Sequence, residues 1–145
     1  MFKTIVLGLD GSEHSDRAMP IARDLARESG GKIVVVHVRE IVAARGGAHP
    51  VRANEDEIQA KVESQVEELR AAGVDANLKL YAAVLGGPAH EIANAADEAN
   101  ADLIVVGTRG HSAIANVLLG GVTQRLLHIA HCPVLAVPPA AGSHR

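Results

Sequence analysis

Two stretches of this 145-residue chain, and one cluster near its end, combine residue types and spacings that could do chemistry. The first stretch is Val105-Val106-Gly107-Thr108-Arg109-Gly110, followed after nine residues by Gly120-Gly121-Val122-Thr123. Glycine permits positive φ and lets the main chain approach a ligand with no Cβ in the way. Backbone N–H groups in a glycine-rich loop that leads into a helix form an anion site, so this spacing can hold phosphates. A plain connection wants the same residues, and both readings stand on the glycines alone. The second stretch, Asp10-Gly11-Ser12-Glu13-His14, follows the first apolar run, and Asp10 can either cap the turn or face a ligand. The cluster is His128, His131 and Cys132, whose side-chain types suit zinc. Its competing reading places the histidines at a helix C-terminus and packs Cys132 as a small apolar residue.

Other chemistry is less well supplied. His37 is read as packing beside the sheet, and His111, within the glycine loop, can reach a phosphate. Ser12, His14 and Asp16 lie too close in sequence for a hydrolase triad, and Ser12 lacks a glycine-flanked elbow. The acidic run Glu55-Asp56-Glu57 reads as a favourable first helical turn rather than paired catalytic carboxylates. No Gly-Lys-Ser/Thr phosphate loop is present, so no lysine is placed for phosphoryl transfer in that manner. The first strand is also not followed by the three clustered glycines of a dinucleotide fold.

These residues need elements to position them. Apolar, β-branched runs at Thr4 to Leu9, Lys32 to Val38, Asn77 to Tyr81, Leu103 to Val106 and Val134 to Val137 alternate with helical patterns, which predicts a parallel sheet. Continuous runs such as Ile33-Val34-Val35-Val36 indicate strands covered on both faces. The expected fold is a doubly wound α/β domain of five parallel strands over residues 1–139, with a disordered tail at 140–145. The first helix runs from His14 to Glu28, with Ser12 as N-cap, Gly30-Gly31 as its end and a bend near Asp16 imposed by Pro20. Further helices are predicted from Asn54 to Ala72, from Pro88 to Asn100 and from Gly121 to Ala130. Ala43 to Ala53 has no apolar period and reads as an exposed, mobile loop.

Composition narrows the partners. A net charge of −3, with one Tyr, one Phe and no Trp, provides neither a basic field nor stacking platforms for nucleic acid. The single cysteine, Cys132, fits a reducing compartment, and no signal peptide or roughly 20-residue apolar span is encoded, so a cytoplasmic protein away from membranes is expected. Pro133-Val134-Leu135-Ala136-Val137-Pro138-Pro139 reads as a sheet-edge strand near the chain end, which invites pairing with a second copy through Val134 to Val137.

The pattern resembles the universal stress protein family in its single-domain form, over nearly the whole chain. The resemblance is carried by Leu9-Asp10-Gly11-Ser12, Val36-His37-Val38, Leu85-Gly86-Gly87-Pro88 and the loop beginning Val106-Gly107. The family's nucleotide signature is Gly, two residues, Gly, nine residues, then Gly followed by Ser or Thr. Gly107, Gly110 and Gly120 meet it, but Gly121 stands where the hydroxyl would reach phosphate. Loss of one neutral hydroxyl contact costs about 1 kcal/mol, roughly five- to tenfold in affinity. Thr123 offers another oxygen.

The resemblance implies a Rossmann-like fold of the adenine nucleotide alpha-hydrolase type and ATP as ligand, with Mg2+ held through the nucleotide. It places Leu9 and Asp10 near the ribose or the metal, and backbone contacts to adenine at Val38. Val106, Gly107, Arg109, Gly110, Gly120, Gly121, Val122 and Thr123 then line the phosphate side. It further implies a homodimer through the last strand and a stress-response role. In that role the nucleotide orders the loop from Gly107 to Gly120, and with it Ala43 to Ala53, altering a surface shown to a regulatory partner. The alternatives are slow ATP hydrolysis or autophosphorylation, and a nucleotide-free interaction protein with a lapsed site.

Overall fold

The computed structural model describes residues 1–44, 46–50, 54–84, 87–108 and 120–139. Their elements run β1 (Thr4–Gly8), α1 (Glu13–Asp16), α2 (Ala18–Ser29), β2 (Lys32–Ala44), β3 (Gly47–Pro50), α3 (Glu55–Ala71), β4 (Asp75–Val84), α4 (Pro88–Ala99), β5 (Leu103–Gly107), α5 (Gly121–Ile129) and β6 (Val134–Val137). Five strands are parallel, in the spatial order β4-β2-β1-β5-β6. The chain builds outward from β1 through β2 to β4, then returns to the other side of β1 for β5 and β6. The order therefore reverses between β1 and β5, and their carboxyl ends open side by side.

The aliphatic runs fill both faces of this sheet. Ile5, Leu7, Ile33, Val35 and Val105 point to one face and pack with Ala18, Ala22 and Ala26 of α2 and Val62, Val66 and Leu69 of α3. Val6, Val34, Val36, Ile104 and Val106 point to the other and meet Ala89, Ile92, Ala93 and Ala96 of α4 and Leu126 of α5. Alternate side chains of one strand thus serve opposite cores, which is why the runs are apolar without interruption. Burying each such side chain contributes about 1.5–3 kcal/mol, so the two clusters carry the fold. Helices on both faces make the domain a doubly wound, Rossmann-like α/β fold.

Local signals set the helix ends. Ser12 caps α1, its Oγ accepting from the Ser15 N–H at 3.2 Å. Pro20 has no N–H to offer Asp16, and the first helix divides at Arg17 into α1 and α2. Pro88 opens α4, and Asn100 ends it in the left-handed region with φ of 52°.

Two expectations need correction. The sheet has a sixth strand, β3, which pairs antiparallel with Ile41 to Ala44 of β2. Part of the stretch from Ala43 to Ala53 is therefore a hairpin and not a loop, with residues 45 and 51–53 outside the described residues. β2 runs five residues past the Val36 that pairs with Gly8 before it reaches Ile41, so its edge there has lost β1 as a neighbour. Gly46 (φ 87°) and Gly47 (φ 116°) allow the chain to reverse and fill that edge. The tail at 140–145 also lies outside the described residues.

The start of the chain is fixed by remote contacts. Asp102 Oδ2 accepts the N–H groups of Lys3 and Thr4 at 2.9 and 3.0 Å, and Ser29 Oγ donates to the Phe2 carbonyl at 2.6 Å. Gly31 lies so close that a Cβ there would run into the Phe2 carbonyl oxygen, whereas a Cβ on Gly30 would meet open space. Gly31→Ala is accordingly expected to lose roughly 2–3 kcal/mol and 4–12 °C in Tm, through overpacking against backbone. Gly30→Ala, although Gly30 has φ of 67°, should lose only about 1 kcal/mol. Thermal denaturation of the two variants decides it, and equal losses would remove the close approach as the constraint.

Candidate functional site

The cleft at the strand-order reversal is built by the turn after β1, the end of β5 and the start of α5. In open parallel sheets this is where ligands are received. The turn after β1 is knitted tightly. Asp10 Oδ1 accepts from the Ser12 N–H at 2.9 Å and from the Ser12 hydroxyl at 2.5 Å. The Asp10 N–H donates to Ser15 Oγ at 3.3 Å, and Ser15 Oγ donates to the Ser12 carbonyl at 3.2 Å. Asp10 therefore serves the turn, as the simpler reading held, while standing at the carboxyl end of β1.

Helix α3 braces that turn from outside. Lys61 Nζ donates to the Gly11 carbonyl and to Asp16 Oδ2, each at 2.8 Å, and Gln65 Nε2 donates to Asp16 Oδ1 at 3.0 Å. A Cβ on Gly11 would stand 2.8 Å from Ile58 Cγ2 of the same helix. None of these contacts carries a sequence signal, because Lys61 and Gln65 read as the polar positions of an amphipathic helix.

On the β5 side the glycines separate into two kinds. A Cβ on Gly107 would lie 2.6 Å from the His14 carbonyl oxygen, so this glycine is required by the packing of α1 against β5. His14 Nδ1 is buried there without a hydrogen-bond partner among the described residues. Gly121 is different, since among the described residues nothing lies within 4 Å of its would-be Cβ. It is the first residue of α5, which follows an extended Gly120 (ψ 164°), and no described side chain caps the helix. The N–H groups of a first helical turn lack intrahelical acceptors, and with the helix dipole they favour an anion.

Thr123 is engaged elsewhere than at that opening. Its hydroxyl is buried and donates to the Gly107 carbonyl at 2.8 Å, while the Gly120 N–H donates to the Thr108 carbonyl at 2.6 Å. Together these bonds fasten the start of α5 to the end of β5. The proton of Thr123 Oγ1 is thus committed, so this residue does not replace the hydroxyl absent at 121.

The remaining predicted site residues are placed as follows. Leu9 and Val106 are buried, their side chains in the two opposite cores, so only their backbones border the cleft. Val38 stands on β2 with its side chain against the second core, and Val122 is half-exposed on α5. Arg109, Gly110 and His111 lie outside the described residues. Near the chain end, His131 Nδ1 bonds the Asp97 carboxylate of α4 at 3.0 and 3.1 Å rather than a helix terminus, and Cys132 packs against the second core. Burial pushes the Cys132 thiol up, with the carboxylates of Asp97 and Asp102 adding to the effect. No trio of His, Cys, Asp or Glu gathers for a metal among the described residues. A depression lined by Glu63, Glu67, Arg70 and Leu78 lies between α3 and β4, and the one cation among these residues, Arg70, is already paired with Glu67.

Comparison with known proteins gives the family and the fold. The model of the universal stress protein family matches residues 1–138. The "Universal stress protein in QAH/OAS sulfhydrylase 3′ region" of Thermus aquaticus is 37% identical over 138 residues, covering 94% of this chain and 99% of that one. Among solved structures, a universal stress protein in complex with cAMP has a TM-score of 0.72 at 28% identity, covering 96% of this chain and 98% of that one. The universal stress protein from Archaeoglobus fulgidus in complex with dAMP has a TM-score of 0.67 at 22% identity, covering 94% and 98%, and shares the fold.

The two kinds of glycine and the role of Thr123 have separable consequences. Thr123→Val should lose about 1–2 kcal/mol in chemical denaturation, because the Gly107 carbonyl loses its donor, and Thr123→Ser should recover most of it. Gly121→Ser should leave Tm unchanged within about 2 °C, as expected for a surface substitution into open space. A fall in Tm for Gly121→Ser matching that of Thr123→Val would contradict the open opening at 121.

Proposed function

The chain belongs to the universal stress protein family, and from that premise we propose that it is an ATP-binding, dimeric, cytoplasmic stress-response regulator. One observation carries the proposal: the first turn of α5, which no described side chain caps and where no described atom lies within 4 Å of a Cβ on Gly121, is fastened to the end of β5, the strand beside β1 and its Asp10 turn. The residues present fit a nucleotide. The amides of Gly121, Val122 and Thr123 would receive phosphate, Asp10 would meet the ribose or a nucleotide-bound Mg2+, and the Val38 backbone would meet adenine. Arg109 and Gly110 would complete the phosphate side. The adenine class is supported by the relatives bound to cAMP and dAMP.

The bound nucleotide supplies no bond-breaking step in this reading. It fills a cleft between three segments and changes the surface that a protein partner meets, so occupancy is the signal. With no lysine placed as in a phosphate loop, holding the nucleotide is favoured over turning it over. Among the described residues no helix is long and apolar enough to cross a membrane.

The dimer would form along β6. This strand pairs only with β5 among the described residues, it is flanked by Pro133 and Pro138, and Leu135 is 37% exposed on it. Light scattering is expected to give a mass twice the 15.1 kDa of one chain. Leu135→Lys should shift that mass toward one chain, and a wild-type monomer at working concentration would end the dimer proposal.

Calorimetric titration of ATP with magnesium into nucleotide-stripped protein tests the ligand. Binding in the micromolar range is expected, tightened roughly five- to tenfold in Gly121→Ser by the restored hydroxyl. Absence of heat and of competition at millimolar ATP would instead favour a nucleotide-free interaction protein.

A further inference from the structure

The end of the β1–β2 ladder is interrupted in an unusual way. β1 pairs with β2 from Thr4 opposite Lys32 to Gly8 opposite Val36, and the Leu9 N–H continues the pattern by donating to the Val36 carbonyl at 3.1 Å. In a parallel ladder the next bond would run from the Val38 N–H to the Leu9 carbonyl. That carbonyl is taken by a side chain instead: His37 Nδ1 lies 2.8 Å from the Leu9 oxygen. A carbonyl can only accept, so Nδ1 carries its proton.

The imidazole is held at its other end as well. Nε2 lies 2.7 Å from Glu55 Oε1, and both side chains are almost wholly buried. Glu55 is the first residue of α3, where a carboxylate is favoured by the helix N-terminus, and Arg39 Nε stands 3.8 Å from the same oxygen. One ring therefore ties together the exit of β1, the middle of β2 and the start of α3. Leu9 and Val38 on either side of it are both residues assigned to the nucleotide cleft.

Strand geometry states what this capture achieves. Backbone groups of alternate residues face the same edge of a strand, so Val38, like Val36, presents its N–H and carbonyl toward the β1 side. With the Leu9 carbonyl drawn to His37, those groups face the gap left where β1 turns away. A donor and an acceptor side by side on an extended backbone match the exocyclic amine and ring nitrogen of an adenine edge.

We propose that His37 is a positioning residue for adenine: by capturing the Leu9 carbonyl it keeps the Val38 backbone unpaired by β1 and sets the direction in which Asp10 leaves the strand. The assignment rests on the nucleotide reading above. His37 does not touch the ligand; it acts through Leu9 and Val38.

Two conservative substitutions separate its two bonds. His37→Asn keeps a donor where Nδ1 stands and drops the Glu55 contact. His37→Gln keeps the contact to Glu55 and drops the bond to Leu9. Adenosine and ATP affinities by calorimetry should stay within about threefold of wild type in His37→Asn and fall at least about tenfold in His37→Gln, the size of one lost well-placed hydrogen bond to ligand. Melting temperature should follow the opposite order, because His37→Asn leaves Glu55 buried without its partner. Amide hydrogen exchange adds a direct readout in the wild-type chain: the Val38 amide should exchange rapidly without ligand and become protected when adenosine binds. Affinity that falls in step with Tm in both variants, or a Val38 amide already protected without ligand, would overturn the assignment of His37. Failure of the wild-type chain to bind any adenine nucleotide would overturn the nucleotide reading itself, and the role for adenine with it.

Discussion

A parallel sheet can be closed only by long crossovers, and those crossovers bury both of its faces. Everything else in this molecule follows from that constraint. The inner strands are apolar on both sides because both sides face a core, and α2 and α4 are lined largely with alanine, which lets them lie close to the sheet. With the faces covered, backbone hydrogen-bonding groups are left over chiefly at strand ends, where neighbouring strands part. The site proposed for the nucleotide lies at such a parting, where backbone groups left over at the strand ends lie beside the turn after β1.

The same constraint explains why residues of one motif have unlike duties. Gly107 meets the glycine signature and Gly121 stands where its Ser or Thr would be, yet a Cβ on the first would strike a neighbouring helix while among the described residues nothing lies near a Cβ on the second. Asp10, Ser12 and Ser15 form a closed set of bonds that would hold the turn even without a ligand. Stability and binding are therefore interleaved along a few residues. Loss of activity on mutating Gly107 would report on the α1–β5 contact as much as on any phosphate.

Much of this was legible in the sequence because its signals are local. The alternation of apolar runs with amphipathic stretches gave the layers, Ser12 and Pro88 gave helix starts, and Pro20 gave a break that appears at Arg17. The hairpin strand β3 was not legible. Its four residues are exposed, they include glycine and proline, and they pair with an edge that becomes available because β2 outruns β1. His37 and Glu55 lie 18 residues apart across a crossover, so neither residue's local pattern announces the other. The Thr123 hydroxyl illustrates a third limit, since a sequence can show that an oxygen is present without showing where its proton is spent.

The position of β1 also bears on how the chain is made. This strand sits at the centre of the sheet, and its second neighbour, β5, begins at residue 103, well after β2 in sequence. Asp102, whose carboxylate holds the amides of Lys3 and Thr4, is 98 and 99 residues away from them in sequence. On the ribosome β1 can pair with β2, and β2 then with β4, but one edge of β1 stays bare until β5, starting at residue 103, has emerged. Such long-range closure slows folding and prolongs the exposure of an aliphatic strand edge. The newborn chain thus passes through a period in which a central aliphatic strand is a half-finished template, and that interval is when a chaperone has most to protect.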